Sequence, residues 1–380
     1  MIGNPQARHW TMGWTMLLAA ALLAGCEGTD AIGAIASTPE PSGPVPSRSP
    51  SEIPDFGAAE DMATGIQVPW GVAFLPGGDA LVSERQTGRV LRINPGDGDV
   101  RQVYQVPGAT PLREGGLLGI AVSPDFAQDG FVYAYFTAAQ DSRIVRFELG
   151  GDAAPEVVLA GITRGEIHNG GRIAFGPDGM LYATVGDGGF PERAQDPSSL
   201  NGKILRITPD GDPAPGNPVS GSAIYSLGHR NPQGLAWDSR GRLFAAEFGQ
   251  NRLDEINLIE PGNNYGWPAV EGAGDTQNGR LTSPLRTWPV AEASPSGIAI
   301  YGDTIYMAAL RGQRLWTMPI QGDTLGEPTA QLRGTHGRLR TVAIAPDGAL
   351  WLTTSNTDPL GQPRAGDDRV LRFPLVGGSS

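Results

Sequence analysis

Short apolar runs rich in β-branched and aromatic residues, separated by Gly, Pro, Asp and Asn, recur along this chain from about Pro69 to Phe373. One signature returns six times: Trp70-Gly-Val-Ala-Phe74, Leu118-Gly-Ile-Ala-Val122, Arg172-Ile-Ala-Phe175, Gln233-Gly-Leu-Ala-Trp237, Ser296-Gly-Ile-Ala-Ile300 and Arg340-Thr-Val-Ala-Ile344. Most copies run into a turn and a second strand, as in Pro177-Asp-Gly179 before Met180-Leu-Tyr-Ala183 and Pro346-Asp-Gly348 before Ala349-Leu-Trp-Leu352. A third strand often closes the unit, as in Arg89-Val-Leu-Arg-Ile93, Lys203-Ile-Leu-Arg-Ile207 and Arg369-Val-Leu-Arg-Phe373. Six copies of an antiparallel set, at a period of roughly 45–60 residues, predict an all-β, six-bladed β-propeller over residues 58–376. A β-sandwich is the alternative, but it has no need of six copies of one unit. The strand with small residues is expected innermost, where blades converge.

The two ends of the chain read differently. Met12 to Leu23 is an apolar run after a weakly basic start, closed by Leu23-Ala24-Gly25-Cys26. A run this short with small residues at its end predicts a secretory signal over residues 1–25. The tetrapeptide resembles the bacterial lipobox, so Cys26 is expected to carry lipid after cleavage and hold an extracytoplasmic protein on the membrane; an ordinary signal is the alternative. Residues 26–57 are dominated by Ser, Pro, Thr, Ala and Gly, a composition expected to form a disordered tether.

Composition narrows the class further. The chain has 380 residues with 55 glycines and 33 prolines, too turn-rich for a helical protein. A net charge of −12 leaves no basic face for nucleic acid, and a single cysteine excludes an intramolecular disulfide.

The chemistry gathers around Ile167 to Gly189. His168 precedes one strand of a hairpin and Asp187 follows the other, so both are expected at one rim. A carboxylate beside an imidazole fixes its tautomer and favours the imidazolium, the makings of a general base. Turn chemistry for both residues remains the alternative on spacing alone. Loops between propeller strands share a rim, which would add Arg230, Asn231, Arg311, Arg338 and Arg340 to the same cavity. Arginines converging in an acidic protein point to an anionic ligand, ideally a planar polycarboxylate.

The chain closely resembles the soluble sugar dehydrogenases that use pyrroloquinoline quinone (PQQ), including aldose sugar dehydrogenases and the soluble glucose dehydrogenase. The segments that carry the resemblance include Gly115-Gly-Leu-Leu-Gly119, His168-Asn-Gly-Gly-Arg172, Gly186-Asp-Gly188, Gly228-His-Arg-Asn-Pro-Gln-Gly234, Asp254-Glu-Ile-Asn257, Asn264-Tyr-Gly-Trp-Pro268 and Gly337-Arg-Leu-Arg340. The resemblance implies that His168 takes the proton from the anomeric hydroxyl while hydride passes to the quinone, with Asp187 orienting it. It implies that Arg230 stabilises the oxyanion developing on the quinone, and that Asn231, Arg311, Arg338, Arg340, Gln195 and the position of Glu114 contact the cofactor. Calcium is implied at the carbonyls of Gly249 and Gln250, and a second calcium at Glu255 and Tyr265. The expected activity is oxidation of aldose sugars to lactones, with electrons leaving to an external acceptor.

Four positions depart from the family pattern. Glu114 stands where several relatives have glutamine, Arg311 where some have lysine, Ile167 where the glucose enzyme is acidic, and Gln250 where others have proline. The competing readings are a cell-surface propeller that binds without redox chemistry, and a calcium-dependent lactonase. The second needs a ring of Asn, Asp and Glu ligands, and this rim is instead rich in arginine.

Overall fold

The structure, a computed structural model, describes residues 53–376. The apolar leader, Cys26 and most of the tether lie outside the described residues. Six antiparallel sheets follow one another along the chain. The first comprises Pro69–Phe74, Ala80–Glu84, Arg89–Ile93 and Val100–Gln105. The second comprises Leu117–Val122, Phe131–Thr137, Ser142–Glu148 and Glu156–Ile162. Ile173–Phe175, Leu181–Val185, Lys203–Ile207 and Ile224–Leu227 make the third, and Pro232–Trp237, Leu243–Glu247, Leu253–Ile259 and Arg286–Pro289 the fourth. In the fifth, Pro295–Tyr301, Thr304–Ala309 and Arg314–Gln321 are followed by two short strands that both pair with the third. This is the six-bladed propeller expected from the repeat.

The sixth blade closes the ring. Leu339–Ile344, Leu350–Thr354 and Val370–Phe373 come from the C-terminal end, and the outer strand is Glu60–Ala63. Pairing extends further out, with Pro54 bridged to Leu375 and the Val376 N–H bonded to the Ile53 carbonyl at 2.8 Å. Paired structure therefore begins a few residues inside the segment expected to be tether, because the two ends of the folded body clasp each other.

The second strands explain why the pattern shows runs rather than alternation. Each is covered on both faces by neighbouring blades, so Ala80–Glu84, Leu181–Val185, Leu243–Glu247 and Leu350–Thr354 are buried at every position. The core is accordingly not one body but six apolar wedges, one at each blade junction. A representative wedge, between the third and fourth blades, packs Tyr182 and Ile204 against Leu235, Leu243 and Ile259.

The first strand of each blade is innermost, and there the backbones nearly touch. A Cβ on Gly119 would sit 2.3 Å from the Gly171 carbonyl oxygen, and one on Gly234 would sit 2.6 Å from that of Ser296. Glycine at these places is thus a condition of the ring closing. Gly119→Ala is expected to lower stability by about 2 kcal/mol or more. Gly77→Ala, in a turn with no atom within 4 Å of the new methyl, is expected to change it by under about 0.5 kcal/mol. Urea unfolding of the two variants beside the parent checks the contrast.

Candidate active site

Every inner strand starts at one rim and every second strand returns to it. Residues just before the first strand and just after the second therefore meet around the axis. In the third blade the inner strand is only three residues long, since His168, Gly170 and Gly171 all take positive φ (54°, 62° and 95°). A left-handed histidine is a local cost of about 1 kcal/mol that its surroundings must hold in place. They do so from two sides. The His168 N–H donates to Glu114 Oε2 at 2.8 Å, and its carbonyl accepts from Gly188 N at 3.2 Å.

The imidazole then lies in a chain of polar contacts. His168 Nδ1 meets Asp187 Oδ1 at 2.7 Å, and Arg230 Nη2 stands 2.9 Å from His168 Nε2. With Nδ1–H donated to the carboxylate, Nε2 presents its lone pair to the cavity and accepts from the guanidinium. Asp187 is fully buried and accepts two further donors, Gly189 N at 2.7 Å and Trp267 Nε1 at 2.9 Å. A buried carboxylate with three donors stays in one orientation and transmits it to the ring.

Arg230 is fixed from behind. Glu247 accepts the main-chain N–H groups of Arg230 and Asn231, and its other oxygen meets His229 Nδ1 at 2.8 Å. His229 Nε2 lies 2.8 Å from Ser226 Oγ, completing a buried line of three side chains under the Arg230–Asn231 pair. Asn231 Oδ1 accepts from Gly170 N at 3.0 Å, tying the pair to the histidine loop. Burial pushes the Arg230 guanidinium below its ordinary pKa, opposed by the charges of Asp187, Glu247 and Glu114.

A second cluster holds more cation than anion. Asp358 accepts from Arg85 Nη1 and from Arg340 Nη2, each at 3.0 Å. Arg338 adds a third guanidinium within electrostatic reach. Arg85 Nε and Nη2 and Arg338 Nε are buried with no hydrogen-bond partner among the described residues. Burial would raise the Asp358 carboxyl, but the three guanidiniums hold it below its usual value. Burial and the charge of Arg85 push Arg340 downward in turn. One carboxylate cannot neutralise the buried guanidiniums of Arg85 and Arg340 and the half-buried one of Arg338, so the cluster keeps uncompensated positive charge. Glu114 lies within the field of both Arg230 and Arg340 and so links the two groups.

Other expected site residues fall differently. Arg311 stands exposed in the turn after Thr304–Ala309 and forms no ion pair or side-chain hydrogen bond among the described residues. Gln195 has its amide committed to Asn264, through bonds of 3.0 and 2.7 Å, and to the Trp267 carbonyl at 2.6 Å. It braces the loop that carries Trp267.

Oxygen donors gather on the other side of Arg230. Gly249, Glu255 and Tyr265 line one small cleft with Glu247 and Glu271. Glu271 Oε1 accepts four successive N–H groups, from Gln250 to Leu253, at 2.8–3.2 Å. Burial would raise Glu271, but those four donors hold it below its usual value. Glu255 is pushed up to about 8 by burial and by the charge of Glu247. The Tyr265 hydroxyl is committed to Leu258 O and Glu260 N. The Gly249 carbonyl accepts from Arg230 Nη1 at 2.7 Å. Among the described residues no set of three His, Cys, Asp or Glu side chains is arranged to hold a metal.

The glucose/sorbosone dehydrogenase family model matches residues 66–360. The chain belongs to that family. Its fold superposes on the PQQ-bound aldose sugar dehydrogenase of Streptomyces coelicolor with a TM-score of 0.81 at 52% identity, covering 85% of this chain and all of that one. An oxidoreductase of glucose dehydrogenase type from Thermus thermophilus gives 0.77 at 45% identity, over 84% of this chain and 99% of that one. Aldose sugar dehydrogenase YliI of Escherichia coli K12 is 28% identical over 336 residues, 78% of this chain and 90% of its own length.

Two features of this family member escaped the sequence reading. Arg85 follows the second strand of the first blade as Asp187 follows that of the third, so the same positional rule points to it. Trp267 sits in a motif noted for resemblance alone. Beneath the Asp187 turn, fully buried Lys203 donates to Arg193 O at 2.7 Å and Asn201 O at 2.8 Å; it forms no ion pair among the described residues, and Asp196 acts on it only through its charge. Burial lowers its pKa to about 8 from 10.5. The folded state thus disfavours the ammonium, so between those two values the unfolded chain binds more protons and stability rises with pH. Unfolding measured from pH 7.5 to 10.5 should show Lys203→Met gaining on the order of 1–3 kcal/mol over the parent at the low end, and losing that gain at the high end.

Proposed function

We propose that this chain is a PQQ- and calcium-dependent dehydrogenase that oxidises aldose sugars at the anomeric carbon to lactones. The observation that carries the proposal is the pairing of an Asp187–His168–Arg230 relay, rooted in a buried carboxylate, with an arginine cluster short of anions. The relatives named as sugar dehydrogenases, one of them PQQ-bound, support the same reading.

The donor set fits a planar tricarboxylate cofactor. Arg85 and Arg338 keep buried N–H groups without acceptors, and these with Arg340 would take its carboxylates. The second cleft fits a hard cation. Its donors are carbonyl and carboxylate oxygens, and the protonation favoured at Glu255 reflects burial first and then the charge of Glu247 beside it. Calcium would be held by the carbonyls of Gln250 and of Gly249, the latter once Arg230 Nη1 releases it, and a second ion by Glu255 with the Tyr265 carbonyl.

When bound, PQQ supplies the two-electron acceptor for the hydride of the anomeric C–H. His168 Nε2 takes the proton of the anomeric hydroxyl, exchanging its bond to Arg230 for one to the sugar. Asp187, held by Trp267 and Gly189, keeps the other nitrogen protonated and favours the imidazolium as it forms. Arg230, anchored through Glu247, turns its freed N–H toward negative charge developing beside the histidine. Glu114 contributes by fixing the His168 main chain. The leader and lipobox-like Leu23-Ala24-Gly25-Cys26 support an extracytoplasmic, lipid-anchored enzyme that passes electrons to an external acceptor.

Reconstitution decides the matter. Apo-protein given PQQ and calcium should reduce an artificial dye when aldoses are added, whereas a binding module would take up no PQQ in calorimetry. His168→Gln should cost about three orders of magnitude or more in kcat with PQQ affinity nearly kept. Arg338→Ala should weaken PQQ affinity tenfold or more, with a smaller effect on kcat at saturating cofactor.

A further inference from the structure

The axial channel has a second mouth, at the end of the inner strands away from His168. Val72, Phe175, Trp237, Ile300 and Ile344 wall a cavity of about 330 Å³ there, and each of them is only half-buried. A concavity of this size, walled by apolar side chains with polar groups contributing about as much of its surface, has the dimensions of a small-molecule site. The charged group lining it is Arg172, which immediately precedes the third inner strand.

Arg172 is held in place without being neutralised. Its Nε donates to Gln233 O at 2.8 Å, its Nη2 donates to Thr341 Oγ1 at 3.1 Å, and its guanidinium lies 4.3 Å over the Trp70 ring. Among the described residues no carboxylate pairs with it, and the charge nearest in effect is another cation, Arg340. Nη1 has no hydrogen-bond partner among the described residues. Neutral acceptors meet the geometry of a guanidinium, but this half-buried cation facing the cavity still lacks a counter-charge. An anion whose tail is apolar would meet both the charge and the exposed side chains along the wall.

We propose that this distal mouth is a binding site for a small monocarboxylate with an apolar tail, its carboxylate on Arg172 and its chain against the inner-strand side chains. The volume suits about ten non-hydrogen atoms, a medium-chain alkanoate. Trianionic, planar PQQ is unsuited to it, and the arginine cluster at the other rim is unsuited to an alkyl chain.

Calorimetric titration of the full chain with sodium octanoate, with and without PQQ present, tests the site. Octanoate should bind saturably at one site, at least tenfold more tightly than 1-octanol, with the same affinity in both conditions. Arg172→Met retains an aliphatic stem over Trp70 and should weaken octanoate at least tenfold while leaving octanol unchanged. Ile300→Asp places a carboxylate in the wall away from Trp70, and should weaken octanoate as strongly even if the arginine variant does not fold. Absence of saturable binding, equal affinity for octanoate and octanol, or full affinity in the variants would overturn the proposal. Competition between PQQ and octanoate would overturn it too, since it would put the carboxylate in the arginine cluster.

Discussion

Six inner strands crowd one axis so closely that at Gly119 and Gly234 no side chain fits between neighbouring backbones. The rest of the molecule follows from that approach. Because each inner strand must start at the same rim, short segments from different blades are brought together whatever their distance along the chain. Because the second strands are then covered on both sides, they are buried throughout and hold the six wedges of core. The rigid interior lets the rim carry strain, such as the left-handed His168, and charge that no small domain could bury.

That charge is distributed against the average of the chain. The protein as a whole carries a net charge of −12, yet its axis concentrates Arg85, Arg172, Arg230, Arg338 and Arg340. Only some of these have a carboxylate close by, and the carboxylates that are present have structural duties. Asp187 orients an imidazole, Glu247 holds a main-chain turn, and Asp358 is shared. An interior arranged in this way is complementary to anions before any ligand arrives, which is preorganisation in the electrostatic sense.

Much of this was legible in the sequence because the repeat was regular. The six strand signatures, the hairpins and the His168–Asp187 pairing at one rim follow from period, turn residues and strand direction. What stayed hidden has physical reasons. Glu60–Ala63 completes a blade whose other strands lie at the far end of the chain, a pairing with no local signal. The third inner strand is confined to Ile173–Phe175, since two positive-φ glycines divert the chain just before it. Gln195 has the side chain of a ligand contact but is engaged by Asn264, and Arg311 has the right charge but stands apart from the cluster. Arg85 and Asp358 form an ion pair across the junction of the first and last blades, which becomes visible only once the ring is closed.

If base, arginine relay and arginine cluster face one cavity, a single anionic cofactor should engage all three. A crystal structure of the protein soaked with PQQ and calcium tests this most directly. The quinone should be seated between His168 and Arg230, with its carboxylates on Arg85, Arg338 and Arg340. Density for PQQ elsewhere on the protein, or an arginine cluster left empty at saturating cofactor, would contradict it.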